Sequence, residues 1–449
     1  MQVFNDWKLK FEHPDWTRNP EFALIDTILE KHPEVWSYAR EDVLQETSAS
    51  VFGRKDTPSV EQVVRAGIFK ALKGLNYRDL EYAQSDSRIC ANFIKLDDRK
   101  PFSFQVFQKY ISKISAESLD QVLVGINQIA IDEGFEDIKA LRTDTTVVKS
   151  NIHYPTNNSL VWDCIKESYR LLEKLSKQVE GLSFRDYRKS AKSNFFKINN
   201  LGKAKQDQRV KVFRAQLNTF TKCINQIDQV VRNPKKKAYS CKARDIIKAM
   251  EYFLPTMEQV FCITKRKEIL GEMVPNYEKI FSIYEPHTDI IVKGGREVEF
   301  GHKVQITGGK SNLILDCMVV DGNPSDRSLY TQSIERVEKM YDKVPRDFVV
   351  DGGYTSKDNL LYSIKKGIKN VVFNKVTRSL KSKVSSSKIR TTLNRWRSGI
   401  EAVISNFKRR FNMRVNTWKG YPRFTAKVLW SAIGYNIRVL TAHMVSRFY

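Results

Sequence analysis

Two short apolar runs, Phe348-Val-Val350 and Asn370-Val-Val-Phe373, flank a stretch of helical spacing at Ser356–Lys366. Each run is too short for a buried helix and reads as a strand covered on both faces. A strand, a helix and a second strand in succession need a crossover, and a crossover makes the two strands parallel. Upstream the pattern changes. Asp289–Val292, Val298–Thr307 and Asn312–Val320 are strand-like and are joined by Gly294-Gly295 and Gly308-Gly309, which makes them antiparallel neighbours. A further strand lies far back, at Ile138–Val148, and a helix is expected at Leu329–Tyr341. The chain is therefore constrained to an α/β fold around a mixed sheet.

Three carboxylates stand out against this framework. Asp144 lies mid-run in the first strand, where aspartate is disfavoured, so a functional role is the better reading. Asp351 ends the strand Asp347–Asp351, and functional groups gather at the carboxyl ends of strands in open α/β sheets. Glu401 is the single acid among twenty Lys and Arg between Leu361 and Tyr449. Around it Ile389, Leu393, Trp396, Ile400, Ile404, Phe407 and Phe411 recur at helical spacing and predict one buried stripe. Asn394, Arg397, Glu401 and Lys408 line a neighbouring stripe. Glu401 is thus either an intrahelical partner for Arg397 or a metal ligand placed beside a polyanion. Asp316, mid-strand, and Asp321 and Asp326, in a Gly/Asn/Pro turn where Asp is expected, rank below Asp351. Three acids from distant positions suit Mg²⁺ or Mn²⁺, and two such ions can clamp an in-line phosphoryl displacement.

The net charge of +25 names the partner class, since such an excess attracts a polyanion, nucleic acid ahead of an anionic membrane. Between Gly181 and Arg244 seventeen Lys/Arg, including Lys235, Lys236 and Lys237, face three acids, with Phe184, Tyr187, Phe195 and Phe196 interleaved. That imbalance is too lopsided for a mixed solvated face and points to phosphate contact. Val161–Val179, Gln208–Val231 and Ala243–Val260 carry helical spacing, so residues 156–280 form a basic helical insertion after the first strand. Helices are also expected from Thr57 to about Gly74, at Tyr77–Ser85 and from Ser103 to about Ile131. This N-terminal group, residues 1–135, fits a helix-turn-helix DNA reader and, equally, a bundle for dimer contacts. No apolar run nears a membrane span, residues 1–8 lack the apolar core of a secretory signal, and six scattered cysteines give neither a zinc pattern nor a disulfide framework. A cytoplasmic protein without a membrane partner is expected.

Several motifs stand in a telling order: Thr143-Asp-Thr-Thr-Val-Val-Lys-Ser-Asn-Ile-His-Tyr-Pro155, Glu285-Pro-His-Thr288, Phe300-Gly-His-Lys303, Asp321-Gly-Asn-Pro324 and Val350-Asp-Gly-Gly-Tyr354. Together with Arg397, Glu401 and Lys408, which match a Tyr-x2-Arg-x3-Glu-x6-Lys signature, the chain resembles bacterial insertion-sequence DDE transposases of the ISNCY kind. The tyrosine of that signature is Asn394 here. The resemblance implies an RNase H-like mixed-sheet core, split into residues 136–155 and 281–449 around the insertion. It implies a metal-dependent transposase with Asp144, Asp351 and Glu401 holding two Mg²⁺ or Mn²⁺ ions. DNA contacts are expected from Arg397, Lys408, Lys235–Lys237, His302 and Lys303, on double-stranded DNA, by a homodimer associated with the nucleoid. A nuclease without strand transfer and a non-catalytic DNA-binding protein are the alternatives.

Overall fold

A computed structural model of the chain describes residues 2–4, 7–8, 19–45, 57–97, 99–201, 205–233, 238–293, 297–374 and 383–446. Two compact units emerge, one of residues 1–151 and 291–449, the other of residues 152–290.

In the first unit a small antiparallel pair, β1 (Gln2–Phe4) and β2 (Trp7–Lys8), precedes eight helices. These are α1 (Pro20–Lys31), α2 (Glu34–Ser37), α3 (Arg40–Gln45), α4 (Val60–Lys73), α5 (Tyr77–Asp86), α6 (Arg88–Phe93), α7 (Phe104–Ile111) and α8 (Ala116–Asp132). Helix α4 begins on a capping box: Ser59 Oγ accepts from the Gln62 amide and Gln62 Oε1 from the Ser59 amide. It ends at Gly74, whose φ of 66° is the left-handed cap glycine adopts without strain. The single helix expected over Ser103–Ile131 is broken at residues 112–115. Ser115 starts a new helix there, its Oγ accepting from the Ser118 amide and its own N–H donating to Asp42.

The sheet has seven strands: β3 (Ala140–Ser150), β4 (Asp289–Lys293), β5 (Glu297–Gly308), β6 (Ile314–Val319), β7 (Asp347–Val350), β8 (Asn370–Phe373) and β9 (Val415–Asn416). The order is β4-β5-β3-β7-β8, with β6 on β5 and β9 on β3. β5 runs antiparallel to both β3 and β6, whereas β7 is parallel to β3 and β8 parallel to β7. This mixed α/β arrangement, with β3 at its centre and helices around it, is consistent with an RNase H-like core plus a helical domain. Helix α13 (Tyr330–Tyr341) and α14 (Lys357–Lys365) make the crossovers expected of the parallel half.

The basic helix expected across residues 389–411 is two, α15 (Ser387–Arg397) and α16 (Gly399–Arg410). Its predicted single stripe therefore serves two cores. Leu393 packs with Val349 and Val372, while Ile400, Phe407 and Phe411 join the core shared by α1, α4, α8 and the last helix. That helix, α17 (Tyr421–Ser446), is buried almost all round, and no amphipathic signal had marked it. The Trp430 indole on α17 donates to the Ile111 carbonyl, and a Cβ on Gly67 would collide with the Trp430 ring. Asn436 donates to Asn127 Oδ1 and to the Ile314 carbonyl and accepts from the Ile314 amide, while Asn127 donates to Tyr341 Oη. Buried amides of this kind cost stability unless satisfied, so the network fixes the register of α8, α17 and β6.

The second unit packs α9 (Asn157–Ser176), α10 (Arg188–Asn200), α11 (Gln206–Val231) and α12 (Cys241–Thr264) around Tyr169, Leu172, Phe220 and Met257. Helix α10 had read only as a basic stretch. Phe184 and Tyr187 pack on this core, and their neighbouring cations sit over rings: Arg188 over Tyr169 at 5.1 Å and Lys222 over Tyr187 at 5.3 Å. Lys235, Lys236 and Lys237 lie outside the described residues. All six cysteines are free thiols, and among the described residues no helix is long and apolar enough to cross a membrane.

Candidate active site

Strand register brings the first two carboxylates together. β3 and β7 are parallel and paired as far as Thr143 opposite Val350, so Asp144 and Asp351 are each the next residue on neighbouring strands. Adjacent strands lie about 4.8 Å apart, close enough for one acid to feel the other. Asp351 leaves its strand with φ −74° and ψ 166° and caps the short turn Gly352–Tyr354, its carbonyl accepting from the Tyr354 amide. Asp144 is mostly buried, with a side-chain exposure of 23%. Burial pushes its carboxyl up to about 6; the Asp351 and Asp326 charges add to the rise, and the Thr145 N–H and Arg397 oppose it.

Asp326 is the acid that sequence reasoning undervalued. Its turn explained it as turn chemistry, yet its Oδ1 accepts from Thr145 Oγ1 at 3.1 Å and from Lys303 Nζ at 3.0 Å. On its other side a Cβ on Gly353 would lie 3.2 Å from Asp326 Oδ2, a tight contact that the absence of a side chain there avoids. Tyr354, wholly buried, has its phenol pushed up by burial and by the charges of Asp326, Asp144 and Asp351 together. Lys303, expected on DNA, is turned inward instead, holding Asp326 and the Pro324 carbonyl. His302, also expected on DNA, is fully buried, edge-on to Tyr421 and Phe424 at 5.1 and 4.9 Å.

Glu401 reaches the group through Arg397. The guanidinium, on a side chain 9% exposed, lies 3.1 Å from Glu401 Oε1 and 3.8 Å from Asp144 Oδ2. The intrahelical bridge considered from the sequence therefore forms, across the break between α15 and α16, and the same cation also faces Asp144. Glu401 itself stays open, with a side-chain exposure of 64%. Lys408 lies two turns further along α16. The junction is set by Arg142, on the same strand face as Asp144. Its guanidinium donates to the Trp396 carbonyl and to Asn312 Oδ1, and it lies 4.6 Å from the Trp396 ring. A Cβ on Gly399 would collide with that guanidinium. An arginine two residues from Asp144 in a buried strand was the available signal.

Asp316, the other strand aspartate, is spent on structure. Arg336 takes both of its oxygens in a bidentate pair and also reaches Asp120.

Residues 289–437 match the family model described as Transposase DDE domain. The match supports an insertion-sequence DDE transposase. It spans about a third of the chain, includes Asp351 and Glu401, and begins well after Asp144. No curated protein and no solved structure matches the chain. The acids suit a hard divalent cation in kind, being carboxylates only, with Asp144 disfavoured in its charged form chiefly by burial. Among the described residues no group of three or more His, Cys, Asp or Glu stands closely enough to hold a metal ion. The cation now between Asp144 and Glu401 is Arg397.

Proposed function

We propose that the protein is a metal-dependent DNA transposase that cuts at the ends of its element and joins them to target DNA. The observation that carries this reading is the meeting of Asp144 and Asp351 at paired parallel strand ends, with Glu401 tied to Asp144 through Arg397. Asp144, Asp351 and Glu401 would hold two Mg²⁺ or Mn²⁺ ions. Bound there, such ions supply charge neutralisation at the scissile phosphate and a more acidic water.

The chain's own residues do the rest. Asp144, whose carboxyl burial raises to about 6, is ionised near neutral pH and would offer an oxygen to a cation held there. Arg397 then keeps the negative charge of Asp144 and Glu401 from repelling the phosphodiester. Lys408 lies on the Glu401 helix where a flanking phosphate would pass, and Lys235–Lys237 belong to a basic stretch that would hold DNA by its charge alone. Residues 1–135 would read the element ends, 156–280 would add sequence-independent affinity, and 136–155 with 281–449 would form the catalytic core. Pairing two DNA ends calls for a homodimer, acting in the cytoplasm on the nucleoid.

Separate replacement of Asp144 and Asp351 by Asn and of Glu401 by Gln is expected to lower Mg²⁺-dependent cleavage of element-end DNA by at least about a thousandfold, the scale on which catalytic groups count. DNA binding in a gel shift should stay within a few-fold of wild type. Normal cutting by any one variant removes that residue from the site. Joining of a pre-cut 3′-hydroxyl end to a second duplex separates a transposase from a nuclease that only hydrolyses.

A further inference from the structure

A cavity of about 530 Å³ opens where α4, α5 and α7 meet the β9–α17 connection, on the Lys70 and Trp418 side of the first unit. Lys70, Lys419, Arg423 and Lys427 line it, and no Asp or Glu does. Lys70 is 6% exposed, and among the described residues no carboxylate pairs with it. Its ammonium lies over the faces of Tyr77 at 4.7 Å and Trp418 at 5.4 Å, two rings stacked 5.8 Å apart. A buried ammonium held only by ring faces is incompletely compensated. Burial first and the facing Lys427 second push it down to about 7, opposed by Asp79.

Lys419 and Arg423 are joined by the amines of Lys70 and of Lys427, the latter pushed down by burial to about 8, and a phosphate would hold both amines protonated. Together they form an anion site without an acid, and a stacked Tyr–Trp wall is what an aromatic base packs against. The volume is that of a site for a small organic ligand and exceeds what a bare phosphate fills. A base inside a duplex is stacked on both faces and offers only its edges, so the strand that enters would present an unpaired nucleotide.

We propose that this cavity is a subsite for an unpaired nucleotide of a DNA strand, its phosphate on Lys70, Arg423 and Lys427 and its base against Trp418. The proposal rests on DNA being the substrate, but not on the carboxylate assignment.

The test uses the full chain in EDTA, with a single-stranded oligonucleotide carrying 2-aminopurine, whose fluorescence is quenched when the base stacks. Wild type should bind and quench. Lys70→Met and Trp418→Leu should each weaken binding about tenfold or more and abolish the quench, while melting as cooperatively as wild type. Should Lys70→Met fold poorly, Lys427→Met carries the same expectation. Absence of quenching with wild type, or its persistence in the folded variants, overturns the proposal. Asp144→Asn should quench like wild type. Normal cutting by that variant beside a Lys70-dependent quench would remove the catalytic assignment and leave the subsite standing.

Discussion

Asp144 is held by burial in a state that works against its own ionisation, and this has a measurable sign. Its folded value of about 6 lies above the ordinary 3.8, so between these pH values the folded chain keeps a proton that the unfolded chain has lost. Stability therefore falls as pH rises through that window. The loss levels off above about pH 6, near 2–3 kcal/mol for two units at 1.36 kcal/mol each. Asp144→Asn removes the charge and should melt higher than wild type at pH 8 without metal, the gap closing as pH falls toward 4. A pH-independent gap in paired thermal melts contradicts this account. Asp144 and Asp351 were legible as site candidates because each occupied a position ordinary strand chemistry disfavours or that function favours. Asp326 was not, because its turn explained it well enough; the residues that give it another role, Thr145, Lys303 and Gly353, come from three other segments. The inward placement of His302 and Lys303 was not legible for the converse reason, since a motif preserves its letters whether its side chains face solvent or core.

At the scale of elements, the helix pair α15–α16 depends on a glycine in an unusual way. Alanine at an ordinary helical glycine stabilises by about 0.5–1 kcal/mol. At Gly399 the added methyl would strike Arg142, which anchors the junction through Trp396 and Asn312. Gly399→Ala is therefore expected to destabilise by about 1–3 kcal/mol, the usual cost of overpacking, and to lower cleavage by displacing Arg397 and Glu401. A higher melting temperature with full activity would show that the junction tolerates the methyl. The apolar beat ran unbroken across the junction, and the only local sign of the break was the Ser398-Gly399 pair; the arginine that bonds the end of α15 sits on β3, more than 250 residues earlier. Strands β3 to β8 were read to within about two residues at each end, Asn370–Phe373 among them, because their turn residues and short apolar runs are local signals, while the short β1, β2 and β9 were missed. Helix α17 was missed because a helix buried almost all round carries little periodicity to detect.

For the molecule as a whole, the net charge and the pairing of consecutive strands were legible, whereas the place of β3 between β5 and β7 was not. The packing of the N-terminal helices was not, since α1, α4 and α8 share one core with α17 from the far end of the chain. Residues 152–290 differ in kind: their core draws only on their own helices, from Leu160 to Val260. Expressed alone, this segment should give a helical circular-dichroism spectrum and a cooperative melt. A non-cooperative transition would mean that its core is insufficient by itself. Its DNA affinity should fall steeply with salt, as phosphate contacts without base readout do.

The placement of β3 also sets the order in which the molecule can come into being. As the ribosome delivers the chain, β3 emerges with Asp144 long before β5 and β7, its two sheet neighbours. The self-contained helical unit is delivered in the interval and can fold first. The central strand must wait, its edges unpaired, and long-range pairing of this kind is slow. The carboxylates can meet only once more than three quarters of the chain has been made. If the proposed function holds, a nascent or prematurely terminated chain would carry the basic charge without a cutting centre, and such a fragment would compete for DNA ends without breaking them.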